Sequence, residues 1–129
     1  ELKGDKAEVM PGIEPLIDQD IVQVMPYRAG QWLVVTYNGL FIYDIIEKKT
    51  TPLKGQNYLD RTNKILVESR PYNSCQLKDA GIAYATMKNG IYIGDKKSNL
   101  TENYNISTGL INETVSDVTY AEKQGVLFA

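Results

Sequence analysis

Short apolar runs alternate with polar residues along this chain, and turn formers punctuate them every few positions. Ile21 to Met25 and Gln31 to Thr36 are rich in β-branched and aromatic residues, which fit a pleated, half-buried surface and predict strands. Arg28-Ala29-Gly30 is the turn between them. Asn38-Gly39 is the strongest hairpin signal, because the pair tolerates the positive φ angles of a tight two-residue turn. Leu40 to Tyr43 is the return strand, closed by Asp44. Glu47-Lys48-Lys49 then leads into a weaker strand near Thr50 to Leu53. The scheme recurs downstream: strands over 73–77, 82–86, 91–93 and 100–104, with Lys78 to Gly81, Asn89-Gly90 and Asp95 to Asn99 as turns. Val115 to Thr119 and Gly125 to Ala129 open a third series. Residues 1–12 form a polar lead-in with a Pro11-Gly12 break. The ambiguous stretch is 56–72, where Lys64 to Glu68 fits a strand or a short helical turn. Helical periodicity is sustained nowhere else over 11 residues, so the chain reads as all-β.

The recurrence is an internal repeat. PLIDQDIVQVMPYRAGQWLVV, from Pro15, aligns without a gap on GLINETVSDVTYAEKQGVLFA, from Gly109, an offset of 94. QWLVVTYNGLFIYD (31–44) matches GIAYATMKNGIYIGD (81–95) at an offset of 50 that becomes 51 through one extra residue before Asn-Gly. A period of 40–50 residues made of short strands is that of β-propeller blades. The expected architecture is an incomplete propeller fragment of about 2.75 blades. Its units run over 13–57, 58–106 and a truncated 107–129. A blade carries an apolar face that it cannot bury alone. Self-association through the exposed blade faces and strand edge is therefore expected.

Composition narrows the function classes. The net charge of −2 and the absence of a polybasic arm argue against nucleic-acid binding. No apolar run is long enough to cross a bilayer as a helix. The chain starts at Glu1 and shows no signal peptide, so the expectation is a piece of something longer. Cys75 is the one cysteine and there is no histidine, which excludes Ser-His-Asp and Cys-His catalysis and histidine metal ligands. Cys75 reads as a half-buried strand residue. Asp18 and Asp20 form a D-x-D that binds calcium only where further oxygens converge, and a polar loop explains it better. Asp44 and Asp95 are repeat-equivalent and suit turn caps. Lys48-Lys49 and Lys96-Lys97 are solvated tips. Tyr43, Tyr84 and Tyr92 sit at strand positions that favour packing over stacking on a sugar or base. The three Asn-x-Ser/Thr triplets, at Asn99, Asn105 and Asn112, read as chance matches.

The repeat also resembles a known family. Thr36, Asn38, Gly39, Leu40, Tyr43 and Asp44, then Thr86, Asn89, Gly90, Ile91 and Asp95, resemble the repeat of the ligand-binding sensor propellers of bacterial two-component regulators. Ser107 to Val115 resembles that family's Gly-Leu-polar-Asn connector. The chain departs from the pattern at Ile82 and Val126, where the family carries tryptophan as at Trp32, and at Val35 and Ala85, where it carries glycine. The resemblance implies a periplasmic segment of an inner-membrane regulator, typically of Bacteroidetes. It implies a small-molecule or oligosaccharide ligand, further blades and an output domain elsewhere in the parent chain, and no cofactor. The expected function is non-catalytic sensing, with no catalytic, cofactor-binding or metal-binding residue assigned and the ligand-binding residues unknown. The alternatives are a protein-interaction scaffold and a fragment of a propeller enzyme. The missing Gly-His and Trp-Asp dipeptides disfavour a WD-repeat scaffold.

Overall fold

In the computed structural model, which describes residues 2–4 and 6–129, the alternating runs become strands and the turn formers become their corners. A small hairpin, β1 (Leu2–Lys3) and β2 (Lys6–Ala7), opens the chain. Sheet 1 is an antiparallel meander of β3 (Ile21–Arg28), β4 (Gln31–Thr36), β5 (Gly39–Asp44) and β6 (Lys49–Pro52). Sheet 2 repeats it with β7 (Pro71–Gln76), β8 (Ile82–Thr86), β9 (Ile91–Gly94) and β10 (Leu100–Tyr104). A last hairpin pairs β11 (Thr119–Ala121) with β12 (Val126–Phe128). Pro26 is tolerated because β3 is an edge strand, where a missing N–H costs no ladder bond.

The repeat seen in the sequence is a repeat of register. Val24 pairs with Val34, and Ser74 with Tyr84, both shifted by 50. The bulge between Ile21 and Gln23 returns between Pro71 and Asn73. Val35 pairs with Leu40, and Ala85 with Ile91, so the step grows to 51 across the Asn-Gly corner, where the extra residue lies. Phe41 with Pro52 becomes Tyr92 with Asn103 at that same step. A loop bond obeys the rule too: Tyr37 N donates to the Asp20 carbonyl, and Met87 N to that of Arg70.

Each corner is clamped alike. Thr36 Oγ1 donates to the Gly39 carbonyl at 2.9 Å and accepts from Asn38 N at 3.1 Å. Thr86 Oγ1 does the same with Gly90 (2.8 Å) and Asn89 N (3.2 Å). Both threonines are fully buried, so these bonds satisfy hydroxyls that would otherwise be costly. Only the glycines of the two pairs take positive φ, +125° at Gly39 and +73° at Gly90, so the turns differ from the doubly left-handed form that Asn-Gly favours.

Both faces of β4 and β5 are covered, as alternation requires. Leu33, Val35, Leu40 and Ile42 face sheet 2 and meet Ile82, Tyr84 and Leu66. Val34 and Tyr43 face outward under Met10, Ile13 and Leu16. The far side of sheet 2, with Ala83, Ala85 and Ile91, packs under Val115, Val118, Leu110 and Leu127. The first strands of successive units are neighbours, β3 against β7 and β7 against β11. Gln76 Nε2 donates to the Pro26 carbonyl (3.2 Å) and Asn73 Nδ2 to Asp117 Oδ1 (2.8 Å) across those two seams.

The largest departure from the sequence reading is α1 (Asn57–Ser69), an α-helix where a strand or a single turn was expected. Among the described residues the fold is mostly β with one α-helix. Leu59, Thr62, Leu66 and Ser69 are buried at spacings of 3, 4 and 3, one face of a helix. Asn63 Oδ1 accepts from Leu40 N (2.8 Å) and its Nδ2 donates to the Leu53 carbonyl (2.7 Å), which ties α1 to sheet 1. Thr62 Oγ1 donates to the Ser98 carbonyl (2.9 Å), and Asn89 Nδ2 to Ser69 Oγ (2.8 Å), which ties it to sheet 2. Arg70 ends the helix with a left-handed φ of 61°, its N–H on the Leu66 carbonyl, immediately before Pro71. The third unit departs in detail. Residues 115–118 are not a strand, and β11 begins at Thr119. Val115 and Val118 are nevertheless buried on sheet 2.

Candidate binding surfaces

Three surfaces arise from the way the sheets meet. Outside sheet 1, Val24, Trp32, Val34 and Tyr43 floor an almost wholly apolar cavity of about 320 Å³, roofed by Met10 and Ile13. Trp32 remains 38% exposed there. Between sheet 2 and the last hairpin lies a groove of about 670 Å³, with Leu77, Ile91 and Ile93 on its floor and Glu102, Tyr104 and Tyr120 at its rim. The Tyr104 phenol donates to the Glu102 carboxylate, and this bond with that charge holds the phenol above its usual pKa. A third hollow of about 510 Å³ collects Lys78, Asp79, Asp95, Lys96 and Lys97 at one end of sheet 2.

A cation–aromatic pair marks the junction between the units. Arg70, exposed at the end of α1, lies over the Tyr37 ring at 5.2 Å. Sequence reasoning missed this pair, because nothing local in either residue signals the other. Arg28 over Tyr27, at 5.0 Å, is a second such contact.

The singled-out residues divide clearly. Asp44 Oδ1 accepts from Ile46 N and Glu47 N, both at 2.9 Å, and Asp95 Oδ1 accepts from Lys97 N (2.8 Å) and Asn99 N (3.0 Å). They are turn caps, as their repeat equivalence suggested. The Glu47 N–H above all, opposed by desolvation and helped by Gln31 and Ile46, holds the Asp44 carboxyl below its ordinary value. Tyr43 and Tyr84 are buried and Tyr92 packs against the same core as Tyr84, which is the packing role expected. Burial pushes the Tyr84 phenol far up. The Ser98 hydroxyl lies beside it without closing a hydrogen bond of ordinary geometry. Burial, then Asp117, raises the Cys75 thiol, and the residue is half-buried as expected. Lys48, Lys96 and Lys97 are exposed in turns, and Lys49, also exposed, opens β6. Asp18 and Asp20 are exposed in the loop before β3. Among the described residues no three His, Cys, Asp or Glu side chains gather as a metal site. Asn105 caps its own turn through bonds from Ser107 N and Ser107 Oγ.

Comparisons with known proteins add little. No protein-family model matches the chain. No curated protein matches it either. Among solved structures, the extracellular domain of a B. thetaiotaomicron protein described as a hybrid two component system aligns with a TM-score of 0.39 and 17% identity. That alignment covers 81% of this chain and 18% of the other, so the chain spans under a fifth of that extracellular domain's length. Among the described residues no helix is long and apolar enough to cross a membrane.

Proposed function

We propose that this chain is a non-catalytic sensing segment of an extracytoplasmic β-propeller in a bacterial signal-transduction regulator. Its blades are residues 13–57 and 58–106, and 107–129 begin a third. The observation that carries this reading is the register shared by the first three strands of the two sheets at steps of 50 and 51, with the bulge after Ile21 returning after Pro71. The alignment of first strands β3, β7 and β11 along one side supports it, because blades share an axis in that way. The Thr–Asn-Gly–Asp pattern that resembles the sensor family is the same set of residues that clamps each corner and caps each following turn.

The ligand in this reading is an oligosaccharide, engaged at the junction where Tyr37 and Arg70 meet. An aromatic face and a guanidinium suit a sugar ring and its hydroxyls. Isothermal titration of the parent protein with oligosaccharide fractions tests this. Saturable binding lost in Tyr37→Ala and Arg70→Ala supports it. Absence of binding across fractions, with signalling that ignores glycans, sinks it.

The cavity around Trp32 favours a second reading, a scaffold that binds proteins, since an open apolar face suits a protein partner better than a sugar. Protein partners recovered with the parent, and no response to small molecules, would decide for it.

A further inference from the structure

The joint between the two sheets holds polar atoms that the protein itself does not satisfy. Among the described residues, Tyr27, Ser74, Tyr84, Ser98 and Asn99 carry buried side-chain oxygens with no hydrogen-bond partner. Three of these come together. Tyr84 projects from β8 onto sheet 1, and its ring passes Gly94, where an added Cβ would lie 3.4 Å from Cε2. That course brings the phenol beside the Ser98 hydroxyl, in the turn between β9 and β10. Tyr27, near the end of β3, packs against the same cluster, and its phenol is near enough to act on that of Tyr84.

Two further observations single this group out. Ser98 is fully buried at a φ of +65°, a left-handed conformation that favours glycine. It is fixed on both sides: its carbonyl accepts from Thr62 Oγ1 of α1 (2.9 Å), and its N–H donates to the Asp95 carbonyl (2.9 Å). A strained serine with an idle buried hydroxyl would be worse than glycine on both counts, so the hydroxyl has work at this place. The repeat points the same way. By the offset of 50, Val34 stands in sheet 1 where Tyr84 stands in sheet 2. The phenol belongs to the joint and not to what the two units share.

We propose that Tyr27, Tyr84 and Ser98 form a binding site for one internal water molecule, which bridges the two units. Each hydroxyl carries a proton that needs an acceptor, and the three do not close bonds on one another. Water takes two of these protons and donates to the remaining oxygen, three bonds in all, as buried water typically makes. It spans the gap that the direct contact leaves. A monovalent cation suits the group less well, because it accepts no proton. The Asp95 carboxylate, whose charge reaches Tyr84, is already committed to Lys97 N and Asn99 N. The bridge ties β3, β8 and the β9–β10 turn across the joint. This inference rests on the docked sheets and not on sensing, so a failed glycan titration leaves it standing.

Crystals of the protein that resolve ordered water test it. The expected result is one enclosed peak at hydrogen-bond distance from the Tyr27 and Tyr84 phenol oxygens and Ser98 Oγ. In solution, a double-mutant cycle of Tyr27→Phe and Ser98→Ala reads the bridge through urea unfolding. Either change alone breaks it, so the double variant is expected to lose less of the folding equilibrium constant than the product of the two losses, by about threefold or more. A direct Tyr84–Ser98 hydrogen bond with no enclosed peak overturns the proposal, as do independent effects in the cycle. A peak that exchanges for thallium in soaked crystals also overturns it, because the occupant is then a cation.

Discussion

Leu66 is the apolar side chain that α1 sets into the core shared by the two sheets. It is fully buried and shares a cluster with Leu33, Leu40 and Ile42 of sheet 1 and Ile82 and Tyr84 of sheet 2. Leu66→Ala removes three carbons from a site walled by secondary structure on both sides, so the space cannot collapse easily. Large-to-small changes of this kind cost about 3 kcal/mol or more. Helix propensity does not offset the loss, because Leu and Ala are both good helix formers. For 129 residues a total stability of roughly 6–19 kcal/mol is typical, so the loss is a sixth to a half of it. The midpoint of thermal unfolding falls by about 10 °C. The control is Val67→Ala, one residue on and 43% exposed, with a change within about 0.5 kcal/mol. Urea unfolding followed by circular dichroism and tryptophan fluorescence reads both variants. A Leu66→Ala loss below about 1 kcal/mol, or a Val67→Ala loss as large, refutes the joining role of α1.

The repeated corners give a paired prediction. Thr36→Val and Thr86→Val each remove one hydroxyl that donates and accepts, so each costs about 1–2 kcal/mol in chemical denaturation, and the double variant shows their sum. A large difference between the two would mean the corners are not equivalent. Gly90→Ala is expected to lower stability more than either, because its Cβ would lie 2.0 Å from the Tyr104 carbonyl oxygen at a φ of +73°; an unchanged midpoint would contradict that backbone contact. Asp44 has a lowered folded pKa, so its stabilisation is complete above the unfolded value of about 4 and fades as pH falls through the folded one. The gap in stability between wild type and Asp44→Ala therefore holds steady from about pH 5 to 7 and closes in stronger acid. A gap that widens on acidification would reverse the sign. Self-association is expected to run through the apolar face around Trp32, so sedimentation should show Trp32→Glu more nearly monomeric than wild type.

Strand positions were readable because their determinants are local. Asn38-Gly39 and Asn89-Gly90 fix two corners, and the alternation around them fixes the faces. The offset of 50, growing to 51 at the corner, could be read in the letters and returned unchanged in the ladders. The helix could not be read that way. Half of its buried face is Thr62 and Ser69, polar residues whose partners Ser98 and Asn89 lie 36 and 20 positions away. A hydrophobic pattern cannot register burial that is satisfied by distant hydrogen bonds. Val115 and Val118 misled in the opposite direction. They are apolar because they roof Ala83 and Ala85, which requires burial but no strand. The Arg70–Tyr37 pair was unreadable because it exists only once the units are docked.

The meander wiring of the two sheets has a mechanical consequence. Every strand pairs with the next in sequence, so tension on the chain ends loads the hydrogen bonds of a hairpin one after another rather than together. A pulled molecule unzips at low force. The joint between the sheets is held by side chains and by α1, and it lets one unit open before its neighbour. Each unit of about 50 residues then releases roughly 170 Å of slack. The repeat that makes the fold legible also makes it extensible in near-equal steps.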